Sequence, residues 1–510
     1  MRIALVLLLA TSAIGHPERS EGPGRAAREE RVSQPRPSPG SLAPARDDIR
    51  RYRQKNEAKI VRELTDFLAI PNVATDEANI RRNAQHLLAM LERRGVRAQL
   101  LESPAGGPPA VFGELRTPGA TKTIVMYAHY DGQPVVASEW KTDPWKPVLV
   151  PDRIEPETRI YARSASDDKA PIVAFMTALD ALRAGGSQPA VNLKFFFEGE
   201  EEAGSLHLGA LLAKHKDLLA ADGWVFCDGP RHQSGAMQVV FGARGVTGVT
   251  LTTFGPARTL HSGHYGNWSP NPIAILTDLL ASMRDAVGNV KLAGFYDDVR
   301  PPTPSERAAV AALPDNDAEL RRSLLIAKSE GDGERLPSRL LAPSVNFTGL
   351  HAGVLGTNSI PAEASASLDF RLVPNQTPAR VRAVLEEHLR KRGFTIVNER
   401  PSDELRRANA KLVQLSWSEG YPPARTSIDD PFAQSVLRVI EKATGAKPLL
   451  VPTFGGSLPI YHFQEILQTP LVIVPIANSD NNQHAANENL RLQNFWDAIE
   501  IFAEIFRTPI

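Results

Sequence analysis

The most constraining feature of this chain is a recurring junction, in which an apolar strand-like run ends abruptly on acidic or imidazole side chains. Leu193–Phe197 runs into Glu198, Glu200, Glu201 and Glu202; Thr123–Ala128 into His129, Tyr130 and Asp131; Trp224–Cys227 into Asp228; and Leu471–Val474 into a polar loop containing His484. Continuously apolar strands are buried on both faces, so these runs belong in a sheet covered by helices. The intervening sequence supplies the helices. Ile60, Val61, Leu64, Phe67 and Leu68 share one helical face, as do Ile80, Ala84, Leu87, Leu88 and Leu91. Ile172, Phe175, Met176, Leu179 and Leu182 mark a third helix, stopped by Gly185-Gly186. Helices alternating with buried strands specify an α/β layer fold. Ligands of open α/β sheets lie beyond the carboxyl ends of the strands, where these polar clusters stand.

The pattern changes near Met237. A Thr-rich strand around Val246, Val249 and Leu251, a helix at Pro272–Met283, a strand at Ala366–Leu372, a helix at Pro378–Arg392, and strands at Thr395–Asn398 and Leu412–Trp417 give a β-α-β-β-α-β type order, that of a small α+β domain. The α/β pattern returns with the helix Pro431–Ala443. The expected organisation is an α/β domain of residues 47–238 and 425–510, interrupted by an insert of residues 239–424. Arg2 and the short apolar run Ile3–Ile14, with Ala13-Ile14-Gly15, read as a secretory leader over residues 1–15. Residues 16–46, rich in Pro, Arg, Ser, Gly and Glu, read as a flexible linker. The leader implies a secreted or periplasmic protein, and its run is too short to span a membrane. Cys227 is the sole cysteine, so no intrachain disulfide exists, and its apolar setting marks it as a core residue. Lys+Arg and Asp+Glu are both 58, so the basic excess of a nucleic-acid binder is absent.

Each cluster has a modest reading beside a chemical one. His129 and Asp131, two apart on an extended chain, point to the same side; they are a solvated strand end, or a metal-bound imidazole oriented by a carboxylate. Asp167 and Asp168 precede a helix, where carboxylates favour the dipole with or without a metal. The four glutamates after Phe197 repel one another unless a cation is near, and adjacent carboxylates suit a metal ligand beside a general base. Together the clusters offer two histidines and several carboxylates with no thiolate. Mixed N/O ligation suits Zn²⁺, with Mn²⁺ or Co²⁺ as alternatives.

Tyr127-Ala128-His129-Tyr130-Asp131, Ser166-Asp167-Asp168-Lys169, Glu200-Glu201-Glu202-Ala203-Gly204-Ser205, Asp228 and His484, in that order, resemble the di-zinc metallopeptidase family of carnosine dipeptidases, glutamate carboxypeptidase and the acetylornithine and succinyl-diaminopimelate deacylases. The likeness runs from about residue 50 to the end. It implies a zinc-exopeptidase-like three-layer α/β/α catalytic domain interrupted by a ferredoxin-like lid and dimerisation domain. It implies two Zn²⁺ per chain: Asp167 bridging them, His129 and Asp228 completing one site, Glu202 and His484 the other. Glu201 would be the general base and Asp131 would orient His129. Leu260-His261-Ser262-Gly263 is similar to a segment that, in dimeric relatives, carries a histidine into the neighbouring subunit's site, where His261 would stabilise the oxyanion; its alternative is a surface histidine. Asn358, Arg371 and the turn Gly455-Gly456-Ser457 resemble substrate-binding positions, with Arg371 clamping a carboxylate or forming an ion pair with Asp369. The family has Gly where this chain has Ala170, which would be strained if a positive φ were needed.

Within the family, Asp at position 228 and the strings around Glu201 and His261 stand nearest the carnosinase-like branch. The resemblance therefore implies an exopeptidase cleaving dipeptides or short peptides. The alternatives are an N-acyl amino acid amidohydrolase or carboxypeptidase of the same family and, from another class, a non-catalytic binding protein, against which the retention of Glu201 and every ligand position counts. A homodimer is expected from the likeness.

Overall fold

A computed structural model describes residues 43–510. The expected leader, and the expected linker up to residue 42, lie outside them. Helical structure begins inside the segment expected as linker, with the helix Ala43–Leu68. Pro44 falls in its first turn, where a missing N–H leaves no bond unmade.

The larger sheet has eight strands in the spatial order Arg97–Leu101, Ala110–Leu115, Asn192–Glu198, Thr123–His129, Gly223–Phe226, Leu471–Ile473, Gln238–Val240, Leu449–Val451. The four central strands from Asn192–Glu198 to Leu471–Ile473 are mutually parallel, Met126 pairing with Phe195 and Val225, and Val225 with Val472. Their alternate side chains enter two different cores. Phe195 and Phe197 pack with Phe175 among the helices Ala43–Leu68, Lys169–Ala184 and Leu492–Arg507, whereas Phe196 joins Tyr127, Trp224, Phe226 and Phe463 on the other face. This is the three-layer arrangement, and it explains why the strands are apolar at every position. Cys227 is buried in the first of these cores.

The second sheet runs Ser344–Ala352, Glu363–Leu372, Gly245–Phe254, Leu412–Trp417, Thr395–Val397. Its strand Glu363–Leu372 alternates strictly between buried and half-buried residues, and Gly245–Phe254 does so up to its buried final residue. The buried set meets the helices Pro272–Ala281 and Pro378–Lys391 in a separate core. The β-α-β-β-α-β order is present, but its second strand is Ser344–Ala352, which the sequence did not mark. Residues 346–351 of that edge strand are exposed, so it carries no periodic apolar signal. Thr395–Val397 is an additional edge strand, parallel to Leu412–Trp417. Three short helices between residues 304 and 339 were also not anticipated.

The chain passes between the sheets at two paired short strands, Gly242–Ala243 and Ala424–Arg425. A Cβ at Gly242 would stand 2.0 Å from the Ala424 carbonyl oxygen, so only glycine allows this approach. No described helix is long and apolar enough to cross a membrane.

Candidate active site

Because the central strands are parallel, their carboxyl ends share one edge of the sheet, and the residues that follow them meet there. His129 ends its strand, Asp167 and Asp168 stand directly before the helix Lys169–Ala184, and Glu201 and Glu202 open a short turn after Asn192–Glu198. That turn closes on Gly204 at φ 88°, a left-handed conformation that glycine adopts without strain.

His129 Nε2 lies 2.9 Å from one oxygen of Asp167. His484 Nε2 lies 3.1 Å from the other and 3.3 Å from Glu202 Oε2. One potential ligand atom from each of His129, Asp167 and Glu202 falls within 4.8 Å of the others. His129 and Asp167 are buried, whereas the His484 side chain is 49% exposed, so the cluster is open on one side. Asp228, half-buried, reaches it electrostatically through Asp167, His129 and His484.

Asp131 stands behind the cluster. Its backbone oxygen is 3.2 Å and its carboxylate 3.4 Å from His129 Nδ1. Its two carboxylate oxygens accept the backbone N–H groups of Glu201 at 3.1 Å and Glu202 at 3.0 Å. One side chain thus orients the imidazole and fixes the acidic turn. The Glu201 carboxylate accepts no hydrogen bond from a described residue, which leaves it free to exchange a proton.

The charge balance of the cluster is unfavourable without a cation. Burial, then the charge of Asp167, pushes Glu202 up to about 10 and Asp228 up to about 6. Burial also raises Glu201 well above the usual range, with Asp228 and Glu202 adding to the shift. Asp167 goes the other way: its hydrogen bonds from His129 and His484 outweigh its burial. Burial disfavours a charged His129, but Asp131 and Asp167 raise its pKa above the ordinary value. Several converging carboxylates and two imidazoles, crowded enough to hold on to protons, form a donor set that fits a divalent cation.

The sequence did not identify Glu488. Fully buried, it accepts from Arg163 Nη1 at 2.7 Å, Ser164 N at 3.0 Å, Ser166 N and Oγ at 2.9 Å and Asp167 N at 3.1 Å. It therefore holds the loop that carries Asp167. Gln133 and Gln483 were also missed; their amides donate to Glu202 and Asp167, each at 2.7 Å. Tyr421 also stands near the cluster, its phenol pushed up to about 12 by burial and the neighbouring Glu201. None of these has a local sequence signal, because each acts on a residue far away in the chain. Ala170 is unstrained: it is the second residue of its helix, with no positive φ.

The remaining residues singled out in the sequence fall into two groups. Arg371 Nη1 donates to Ser457 Oγ at 2.8 Å and Nε to Asp369 at 2.8 Å, so the ion pair and the contact with the glycine turn coexist. Gly456 accepts from Arg244 N at 3.3 Å, and Gly455 packs on Leu340. His261 and Asn358 are instead brought together at an exposed two-stranded antiparallel pairing, where His261 pairs with Ser359 and Ser262 N donates to the Asn358 oxygen at 2.9 Å. The His261 ring lies 4.6 Å from that of His264, and neither His261 nor Asn358 contacts the acidic cluster among the described residues.

A family model described as Peptidase family M20/M25/M40 matches residues 125–508. The human Beta-Ala-His dipeptidase is 28% identical over 497 residues, covering 93% of this chain and 94% of that protein. The Cys-Gly metallodipeptidase DUG1 of Saccharomyces cerevisiae is 26% identical over 467 residues, covering 86% of this chain and 93% of its own length. Among solved structures, an M20 family metallo-carboxypeptidase from Sulfolobus solfataricus, Sso-CP2, matches with TM-score 0.72 and 30% identity over 88% of this chain and 98% of its own. Human carnosine dipeptidase 1 matches with TM-score 0.70 and 25% identity over 92% and 99%.

Proposed function

The chain belongs to peptidase family M20/M25/M40, and from that premise we propose that it is a metal-dependent exopeptidase hydrolysing the amide bond of dipeptides. The observation that carries this reading is the convergence of His129, Asp167, Glu202 and His484 beside the unengaged Glu201 carboxylate. His129, Asp167 and Asp228 would hold one cation and Asp167, Glu202 and His484 a second. Zinc suits these donors best, with manganese or cobalt as substitutes. When bound, the cations supply Lewis-acid polarisation of the scissile carbonyl and acidify water.

The chain's own residues supply the rest. Glu201 takes a proton from the attacking water and returns it to the leaving amine. Asp131 keeps His129 and the Glu201–Glu202 turn in register. Arg371, steadied by Ser457 and Asp369, presents its guanidinium to the substrate carboxylate, with Gly455 and Gly456 beside it.

His261 and Asn358 belong in this proposal to the site of a second copy. The exposure of both residues supports that role, and so does the exposed edge strand Ser344–Ala352, where Leu350 is 61% exposed and nearby Leu355 fully so. Residues 47–238 and 425–510 would act as the catalytic domain and 239–424 as the lid through which the copies meet. The leader of residues 1–15 would direct export to the periplasm or outside the cell.

Sso-CP2 supports a second reading, carboxypeptidase or N-acyl amino acid amidohydrolase action. The deciding experiment offers the metal-loaded enzyme dipeptides, longer peptides and N-acyl amino acids in parallel. Preferred dipeptide cleavage supports the first reading, and cleavage of acyl amino acids without dipeptides replaces it. Subunit exchange between His261→Ala and Glu201→Gln enzymes tests the shared site: recovered activity supports it, and none in a verified mixed dimer removes it.

A further inference from the structure

A second cavity, of about 420 Å³, opens beside the lid sheet between the start of the strand Ser344–Ala352 and the helices Asp317–Ser323 and Leu336–Arg339. No residue of the acidic centre lines it. Its volume is that of a small-molecule site. Leu320, Leu324, Leu336 and Leu340 give it an apolar wall, and it contains Arg244, which is only 5% exposed.

Arg244 is the unusual group. Its Nη2 donates to the Ala342 oxygen and to Ser344 Oγ, both at 3.0 Å, but its Nε has no partner. It forms no ion pair among the described residues, whereas Arg284 is paired with Glu330 and Arg339 with Glu334. Burial and the neighbouring Arg371 push its guanidinium down to about 10. Four arginines and three carboxylates line the cavity, leaving one positive charge over. Asp369, the carboxylate that acts on Arg244 electrostatically, is itself paired with Arg371; a buried charge without an ion-pair partner is costly, and an anion seated beside it offsets that cost.

We propose that this cavity binds a small amphipathic monoanion, a medium-chain carboxylate, with its head on Arg244 and its chain against the four leucines. The occupant would lie behind the substrate turn, because Arg244 N bonds to Gly456 and Leu340 packs on Gly455.

The test is calorimetric titration of octanoate into the metal-loaded full chain, compared with 1-octanol and with the rim variant Leu324→Asp. Leu324 is 57% exposed, so the substitution spares the core, and Leu336→Asp at a 45% exposed position serves as a second variant. The expected result is saturable octanoate binding, weakened at least about tenfold when the charge is removed in octanol and similarly in either leucine variant. Equal binding of octanoate and octanol, no binding at millimolar octanoate, or undiminished binding to the folded variants overturns the proposal. The last outcome would put the carboxylate on the metal centre instead.

Discussion

Replacing Glu488 by Gln perturbs the active site without touching a metal ligand. One Glu488 oxygen accepts from Ser166 N, Ser166 Oγ and Asp167 N, and the other from Arg163 Nη1 and Ser164 N. An amide keeps only one oxygen, so its NH₂ must face donors on one side. The amide is neutral, so the buried ion pair with Arg163 is broken in either orientation, which costs about 3–5 kcal/mol; if the NH₂ faces Arg163, the Ser164 N–H loses its acceptor as well. If it faces the other way, two backbone N–H groups and a hydroxyl lose their acceptor, at about 1–3 kcal/mol for each buried group left unmet. Either orientation removes a large share of a stability of about 5–15 kcal/mol. It also loosens the loop bearing Asp167. The expected outcome is a lower urea midpoint together with weaker metal retention during chelator dialysis. The double variant Arg163→Met/Glu488→Met separates the two contributions. It removes the ion pair cleanly but leaves the Ser164, Ser166 and Asp167 N–H groups without their acceptor, so it should remain destabilised. Wild-type stability and metal content in the double variant would refute the idea that Glu488 serves the loop backbone.

Three further expectations concern the metal centre and the sheet. Metal binding must displace protons that Glu202 holds up to about 10 and Asp228 up to about 6, and those that His129 and His484 hold above the ordinary imidazole range, so affinity should rise with pH; a pH-independent affinity in chelator competition would contradict the assigned ligands. Asp131→Asn, which weakens the hold on His129 and on the Glu201–Glu202 turn, should lower metal affinity about 10–100-fold; an unchanged affinity would show that Asp131 orients nothing. Phe463→Ala opens a hole between Trp224 and Phe226, whose rings each lie 4.9 Å from that of Phe463, and should cost about 3–5 kcal/mol in urea unfolding; an effect below about 1 kcal/mol would mean the cluster does not hold that face of the sheet.

The layered fold and the metal cluster were legible for the same reason. Strands such as Phe195–Phe197 are buried on both faces, so they show as unbroken apolar runs, and the parallel sheet then sends their polar successors to one edge. His129, Asp167, Glu202 and His484 stood as candidates because each lies beyond such a run or before a marked helix, and the family resemblance then implied their roles as ligands. Ser344–Ala352 was illegible because an edge strand facing outward has no buried face to pattern its sequence. Glu488 and Arg163 are 325 residues apart, and nothing local to either reveals the bond between them. The position of Arg371 against Ser457, residues 86 apart in the chain, was likewise set by tertiary packing, although each is singled out separately in the sequence.

The central claim is that Glu201 moves the proton while its neighbours hold the metal. The most direct test measures metal content and dipeptide turnover side by side for the wild-type protein and Glu201→Gln. The account predicts about two metals per chain in both, with turnover lowered about a hundredfold to ten-thousandfold in the variant. Undiminished turnover in a metal-loaded Glu201→Gln enzyme would contradict it.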